Sequence, residues 1–491
     1  MHPVMMGVVV VDRLTDWPIK VPGVEVVTGW TYLNDEAFVK PRRARVYNLC
    51  RSFSYQSIGY YVSLLASARG HAALPDVTTI QDLKLADSPR IINDEVDDLI
   101  NQSLARLGSE HYSLNIYFSR CMAKRHERLA RALFNLFPAP LLQVDFLWRD
   151  NRWRVDGVAA LALGEVPEGH HEFLLEAASD YFLRKRAPRI KRESARYDIA
   201  ILVNPNEAEP PSNAQALKRF EKAAVDLGFD VEFLDKGDYG HVAEFDALFI
   251  RETTAVNHHT YRFARRAARE GLVVLDDPLS ILRAANKVFL AQVMTRQRIP
   301  QPETLIVHRG NVSQIARDLG FPCVLKQPDS QFSKGVIKVE SEAELKRQTR
   351  AMLERSDLII AQRFTPTEYD WRIGVLDGVA IYACRYFMAK DHWQIIRRDA
   401  AGEKDEGAHE TLAVEDVPAN VLSIAIQAAK TVGQGLYGVD LKQFGNAVTV
   451  IEVNDNPNID FGIEDLVLKD ALYQRVMGYF IKRLEARTRS G

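Results

Sequence analysis

Much that would assign a chain early to a special class is missing here. Four cysteines, Cys50, Cys121, Cys323 and Cys384, lie far apart in 491 residues. None has metal-ligand or disulfide-framework spacing, so they read as small buried apolar residues in a reducing compartment. No apolar run approaches the ~20 residues of a membrane-spanning helix. Met1 to Val11 has neither a basic start nor a small-residue cleavage site, and it reads as a strand rather than a signal peptide. The formal net charge of −2 removes any bulk electrostatic case for nucleic acid or an anionic membrane. Internal repeats and low-complexity tracts are absent as well. What remains is ordinary: 47% hydrophobic and 26% charged residues, as in a soluble globular protein. The length predicts about three domains, and the expected location is the cytoplasm.

Strand-like and helix-like stretches alternate over residues 1–190, which predicts layered α/β structure. Val4 to Val11 is an unbroken apolar strand of the doubly buried kind. Strands are also expected at Arg45 to Cys50, Tyr112 to Phe118, Leu141 to Trp148 and Trp153 to Leu163, with helices near 92–107, 122–137 and 168–186. Between the second strand and the next helix, Ser52 and Ser54 either cap the helix or present hydroxyls to an anion. The run Arg184-Lys-Arg-Ala-Pro-Arg-Ile-Lys-Arg reads as a solvated linker. A new α/β unit starts at Tyr197 and closes at Leu275. Arg251 ends one of its strands, where open sheets bind ligands, as a substrate contact or a plain surface arginine. The pairs His170-His171 and His258-His259 read as surface residues, because neighbours on a helix diverge by about 100° and no acidic or cysteine partner has ligand spacing.

The strongest chemical signal lies near the end. Leu436-Tyr-Gly-Val-Asp440-Leu and the run Ala447 to Val453, with Glu452-Val-Asn454, are neighbouring strands carrying Asp440, Glu452 and Asn454. These hard oxygen donors suit Mg²⁺ or Mn²⁺ rather than zinc. Glu452 and Asn454 are two apart, so a strand points them to one face. Sparse carboxylate sites of this kind share their ion with phosphates, which predicts an ATP site. Upstream cations fit: Lys287 opens an amphipathic helix, and Lys326 ends the strand Pro322 to Lys326 before the polar loop Ser330 to Gly335. Ser330, Ser333 and Gly335 let backbone N–H groups approach an anion.

In this order the pieces resemble the RimK-like ligases of the ATP-grasp superfamily. They are Asn286-Lys287, Pro322 to Lys326, the loop to Gly335, Ile359 to Phe364, Glu368-Tyr-Asp370-Trp-Arg372, the strand with Arg385, Gly438-Val-Asp440-Leu, and Ile451 to Asn458. Asn48-Leu-Cys-Arg-Ser-Phe-Ser-Tyr-Gln-Ser-Ile-Gly resembles the N-terminal domain found ahead of some RimK-like ATP-grasp proteins. The resemblance implies an α/β chain of three parts: an N-terminal α/β domain at 1–190, a small pre-ATP-grasp α/β domain at 196–285, and the ATP-grasp fold at 286–485, whose two α+β lobes hold ATP. It also implies roles. Lys287 and Lys326 hold phosphates, with Ser333 and Gly335 in the covering loop. Gln362, Arg363 and Phe364 form the adenine hinge, and Glu368 contacts ribose. Arg372 and Arg385 meet the γ-phosphate or substrate carboxylate. Asp440, Glu452 and Asn454 coordinate two Mg²⁺ or Mn²⁺ ions, and Asn456 or Asn458 touches substrate. Two departures stand out: the loop keeps only Gly335, and Gln362 replaces the usual hinge acid.

The implied reaction is ATP-dependent ligation of a carboxylate to an amine through an acylphosphate, with small-molecule amino-acid or peptide substrates and no nucleic acid or membrane partner. Catalysis is then positioning and charge stabilisation. A homo-oligomer stays open. The alternatives are an ATP-grasp phosphotransferase and a non-catalytic ATP-binding regulator.

Overall fold

The computed structural model describes residues 6–19, 24–38, 44–69, 71–84, 94–161, 163–184, 195–329, 335–390, 392–398 and 404–489. The basic run at 185–192 and the loop positions 330–334, Ser333 among them, lie outside these residues. The chain divides into two compact units: Met1–Ser194 with Tyr239–Glu244, and Ala195–Asp238 with Phe245–Gly491.

In the first unit, Met6–Val11 is a central strand of a parallel four-stranded sheet, between Val24–Thr28 and Ala44–Asn48, with Ala72–Leu74 at one edge. Val8 to Val11 are fully buried because helices cover both faces of such a sheet, which is why the run has no polar alternation. The next three strands, His111–Tyr117, Leu141–Arg149 and Arg152–Ala160, form an antiparallel meander rather than more parallel layers. Its last turn is Asp150-Asn151, both with positive φ, the twist that suits a two-residue hairpin. The helix after Asn48 is Ile58–Ala68, and its cap is neither expected serine: Ser57 Oγ accepts from the Tyr60 N–H at 3.3 Å. Ser52 is used locally, accepting from the Ser54 N–H at 3.2 Å.

The second unit opens with a parallel sheet in the order Val273–Leu275, Ala247–Ile250, Tyr197–Leu202, Phe229–Leu234. The C-terminal helix Asp470–Arg489 packs on this sheet and its helix Ala214–Asp226, with Tyr473 and Phe480 edge-on to Phe220 and Phe249. Two antiparallel lobes follow. One sheet runs Thr304–Val307, Ile359–Arg363, Cys323–Lys326, Val336–Val339. The other has five strands: His409–Leu412, Val379–Phe387, Tyr369–Leu376, Leu436–Phe444 and Ala447–Asp455. Helix Ala419–Val432 covers one face of the five-stranded sheet, and the core of that face is apolar: Trp371, Ile373, Val375, Val439, Leu441 and Val453 are buried there. Asp370, Arg372, Asp440 and Lys442 of the same strands are turned to the other face by the period of two.

Arg251 is neither a surface residue nor placed to meet a substrate. It is 1% exposed. Its guanidinium donates to Ser212 Oγ at 2.9 Å, Asn456 Oδ1 at 2.7 Å, the Pro457 carbonyl at 3.0 Å and the Pro211 carbonyl. Asp276 works from the same sheet in the opposite sense, accepting from the backbone N–H groups of Leu436 at 3.1 Å and Asn456 at 2.6 Å. Together they pin the segment after Asp455, where the chain leaves the five-stranded sheet.

Candidate active site

Lys287, Lys326, Asp370, Arg372, Asp440, Lys442, Glu452 and Asn454 line one cleft of about 560 Å³. Register puts them together. Arg372 lies opposite Asp440, and Asp440 opposite Glu452, on three adjacent strands. Beyond Glu452 the pairing slips, and Leu441 faces Val450. The extra residue, Ile451, lets Val450 and Val453 both enter the core while Ile451 and Glu452 both line the cleft. Lys287 arrives from the first residue of the helix Lys287–Gln297, which Asn286 caps by accepting from the N–H groups of Val288 at 3.0 Å and Phe289 at 3.1 Å.

Three carboxylates in this cleft each hold a basic partner. Arg372 grips Asp440 with two parallel bonds of 2.7 and 2.8 Å. Lys287 Nζ is 2.6 Å from Glu452 Oε1, and Lys442 Nζ is 2.6 Å from Asp370 Oδ1. Asn454 donates its amide to Asp440 Oδ2 at 3.1 Å. Burial works against the Arg372 charge, but Asp440 outweighs it and holds the guanidinium pKa above its ordinary value. Burial likewise opposes ionisation of Glu452, yet Lys287 and Lys326 keep its pKa below the usual carboxylate value.

Lys326 is the exception. Only 8% exposed, it makes no ion pair among the described residues. Burial brings its pKa down to about 8, with Glu452 partly restoring the charge and Lys287 and Lys442 opposing it. A buried cation without a carboxylate of its own, facing a cleft, is an incomplete electrostatic arrangement that an anion completes.

The hinge expectation meets the cleft wall. Gln362, Arg363 and Phe364 all line it. Gln362 is buried and donates to Thr304 Oγ1 at 2.9 Å, Arg363 is tied to Glu303 at 2.6 Å, and Phe364 packs edge-on to Trp393. Gly335 has φ +77°, a backbone shape that favours glycine, and its carbonyl accepts from the Gln327 N–H at 3.0 Å.

Three of the described predicted residues are not brought in; Gly335 is exposed and does not line the cleft. Glu368 is exposed and does not line the cleft; Asp370, two residues on, does. Arg385 lies on the opposite face of the sheet from Arg372. It stacks over Trp371 at 4.7 Å and Tyr369 at 5.0 Å, and pairs with Glu410 at 3.2 Å. The reason is one extra residue. Val375 faces Ala380, but Gly374 faces Tyr382, so Ile381 is bulged and every later side chain changes sides. An unbulged hairpin from the turn Asp377-Gly378 would have set Arg385 beside Asp370. Gly374 is required here, since a Cβ would sit 2.1 Å from the Tyr382 ring.

Sequence reasoning missed Lys442 and Asp370. The rule that paired Glu452 with Asn454 reaches both, because Lys442 is two beyond Asp440 and Asp370 two before Arg372. It had no means of finding Glu464, which arrives from the loop after Asn458. There Tyr386 donates its hydroxyl to Glu464, and burial raises the Glu464 pKa to about 7.

Comparison with known proteins gives two family matches. Residues 284–469 match the RimK-like ATP-grasp domain, and residues 30–177 match the RimK-like ATPgrasp N-terminal domain. Among curated proteins, a probable alpha-L-glutamate ligase of Vibrio vulnificus (strain YJ016) is 26% identical over 281 residues, 52% of this chain and 89% of the relative. One of Marinomonas sp. (strain MWYL1) is 23% identical over 289 residues, covering 55% of this chain and 90% of the relative. Similar solved structures include a D-alanine–D-alanine ligase from Bacillus anthracis, with 15% identity and TM-score 0.45 over 60% of this chain and 99% of that one. A RimK domain ATP-grasp protein from Sphaerobacter thermophilus has 16% identity and TM-score 0.44 over 57% of this chain and 98% of that one.

Proposed function

The chain belongs to the RimK-like ATP-grasp ligases, and from that premise we propose that it activates a carboxylate of an amino acid or peptide as an acylphosphate and transfers it to an amine. One observation carries the reading: Lys326, a buried cation with no carboxylate partner among the described residues, faces a cleft whose other cations, Lys287, Arg363, Arg372 and Lys442, are each paired with a carboxylate. A triphosphate supplies the missing anion. Lys326 and Lys287 hold its phosphates, the hinge Gln362 to Phe364 takes the base, and Arg372 stands ready for the transferring phosphoryl group or the substrate carboxylate.

The oxygen set fits a pair of Mg²⁺ or Mn²⁺ ions. Glu452 meets Lys287 through Oε1 and keeps Oε2, Asn454 spends its amide nitrogen on Asp440 Oδ2 and keeps its oxygen, and Asp440 Oδ1 has a second lone pair beyond Arg372. Asp440, Glu452 and Asn454 would hold such ions, which neutralise phosphate charge when bound. The residues themselves orient the two substrates and keep water from the activated carbonyl. The same cleft is lined by Glu209, Asp460 and Glu464, acids suited to an ammonium group on the attacking substrate. A glutamate-type substrate is the first to try, because the curated relatives carry that name. The small sheet at 196–285 would serve the acceptor side, and the expected division at 285/286 stands as part of this proposal.

Hydroxylamine trapping tests the chemistry. Protein, ATP, Mg²⁺ and glutamate or a glutamyl peptide, without a separate amine acceptor, should yield a hydroxamate with hydroxylamine. A phosphorylated hydroxyl product, with no hydroxamate from any acid that stimulates ADP release, would mean phosphotransfer instead.

Lys326 adds a pH signature. Its folded pKa of about 8 lies below that of an ordinary lysine, and a phosphate beside it raises it again. Binding therefore takes up a proton once the pH exceeds the free value, and affinity falls as the pH rises through about 8. Calorimetry of ADP binding near pH 9, in buffers of different ionisation enthalpy, should show uptake that Lys326→Met abolishes. Equal uptake in that variant would remove Lys326 from the phosphate site.

A further inference from the structure

Glu252, His258 and His259 converge behind the cleft wall, one donor atom from each lying within 4.8 Å of the others. The helical argument against adjacent histidines does not apply. Helix His259–Arg269 begins at His259, and His258 is its extended cap residue at φ −101°, ψ 161°. The break in conformation brings the rings to 4.0 Å between centroids. The acidic partner missing from the sequence pattern is Glu252, six residues upstream, returned by the turn after Ile250; His259 Nε2 is 2.8 Å from its Oε2.

We propose that Glu252, His258 and His259 form a binding site for one divalent transition ion, of the Zn²⁺, Co²⁺ or Ni²⁺ class, separate from the oxygen-only set at Asp440, Glu452 and Asn454. Mixed imidazole and carboxylate donors select borderline ions, whereas the oxygen set selects hard ones. The surrounding bonds arrange His258 as a ligand. The Thr260 hydroxyl gives its proton to the Thr253 carbonyl at 3.3 Å, so toward His258 Nδ1, 3.1 Å away, it accepts. Nδ1 therefore carries the ring proton, and Nε2 keeps its lone pair. Asn204 Nδ2 steadies the other Glu252 oxygen at 3.3 Å. Charge points the same way. Glu252 is buried, and Glu207 adds a second carboxylate, accepting from the Thr253 N–H at 3.1 Å. Burial pushes the Glu207 pKa up and the Glu252 charge adds to it, crowding that a dication relieves.

The ion would fasten the wall rather than join the reaction. Thr253 and Thr254 line the cleft, Thr254 donates to Asp455 Oδ2 at 2.6 Å, and the Glu252 carbonyl accepts from Asn456 Nδ2 at 2.7 Å.

The test uses the full chain, stripped with a chelator and titrated with Co²⁺ under excess Mg²⁺. The expected result is saturable visible absorption at about one equivalent. The affinity should fall at least about tenfold in His258→Ala and in Glu252→Gln, and stay unchanged in His170→Ala. Zn²⁺ should raise the unfolding temperature of the parent and leave that of His258→Ala unmoved. His258 is half-buried at a helix start, so this variant keeps the test valid if Glu252→Gln folds poorly. Absence of a saturable Co²⁺ spectrum, or the same spectrum and affinity in His258→Ala, overturns the site.

Discussion

Glu452→Gln is expected to fold like the parent and to lose turnover by about a hundredfold or more, the scale of a major transition-state electrostatic term. Gln keeps the shape and still accepts from Lys287, so packing is preserved. What disappears is the negative charge that Lys287 and Lys326 share, and the oxygen proposed to meet the metal ion. Without it only Asp370 still offsets Lys287 and Lys442 at Lys326, and the Lys326 pKa moves further down. Phosphate release under saturating Mg²⁺, beside thermal unfolding of the apo protein, separates the two effects. Near-normal turnover in a folded variant would falsify the metal-donor assignment.

Arg251→Met is expected to act on stability instead, by about 3–5 kcal/mol, the usual loss when one side of a buried polar network is removed. The methionine fills similar volume but leaves Ser212, Asn456 and the Pro211 and Pro457 carbonyls without the guanidinium. Urea unfolding of the full chain measures the loss. Because Asn456 and Pro457 follow Glu452 and Asn454 on the same stretch, activity should fall with it, and Arg251→Lys should recover little, since one ammonium cannot replace a fork. If stability is unchanged and only substrate KM rises, Arg251 is a substrate contact after all.

The residues that were legible in the sequence are those whose placement is local. Lys287 follows an Asn cap, Lys326 ends an apolar strand, and Glu452 and Asn454 share a strand face by parity. The parallel sheet of Val8 to Val11 was legible for the same reason, because double burial leaves a continuous apolar run. Long-range contacts were not. Nothing near Arg251 in sequence says that residues 211–212 and 456–457 will enclose it. Glu252 becomes a partner of His258 and His259 only through a turn. Arg385 failed for a subtler reason, since a single bulge lies beyond any propensity and reverses the outcome.

That bulge makes the hairpin a parity switch. From Tyr382 to Phe387, which side chains face the cleft and which face helix Ala419–Val432 is decided by whether Ile381 is counted. Deleting one codon there would present Arg385 to the cleft and turn Tyr386 toward the helix, without changing the identity of any other residue. Length variation inside this strand, more than substitution along it, is the step by which such a lobe could exchange one set of cleft groups for another.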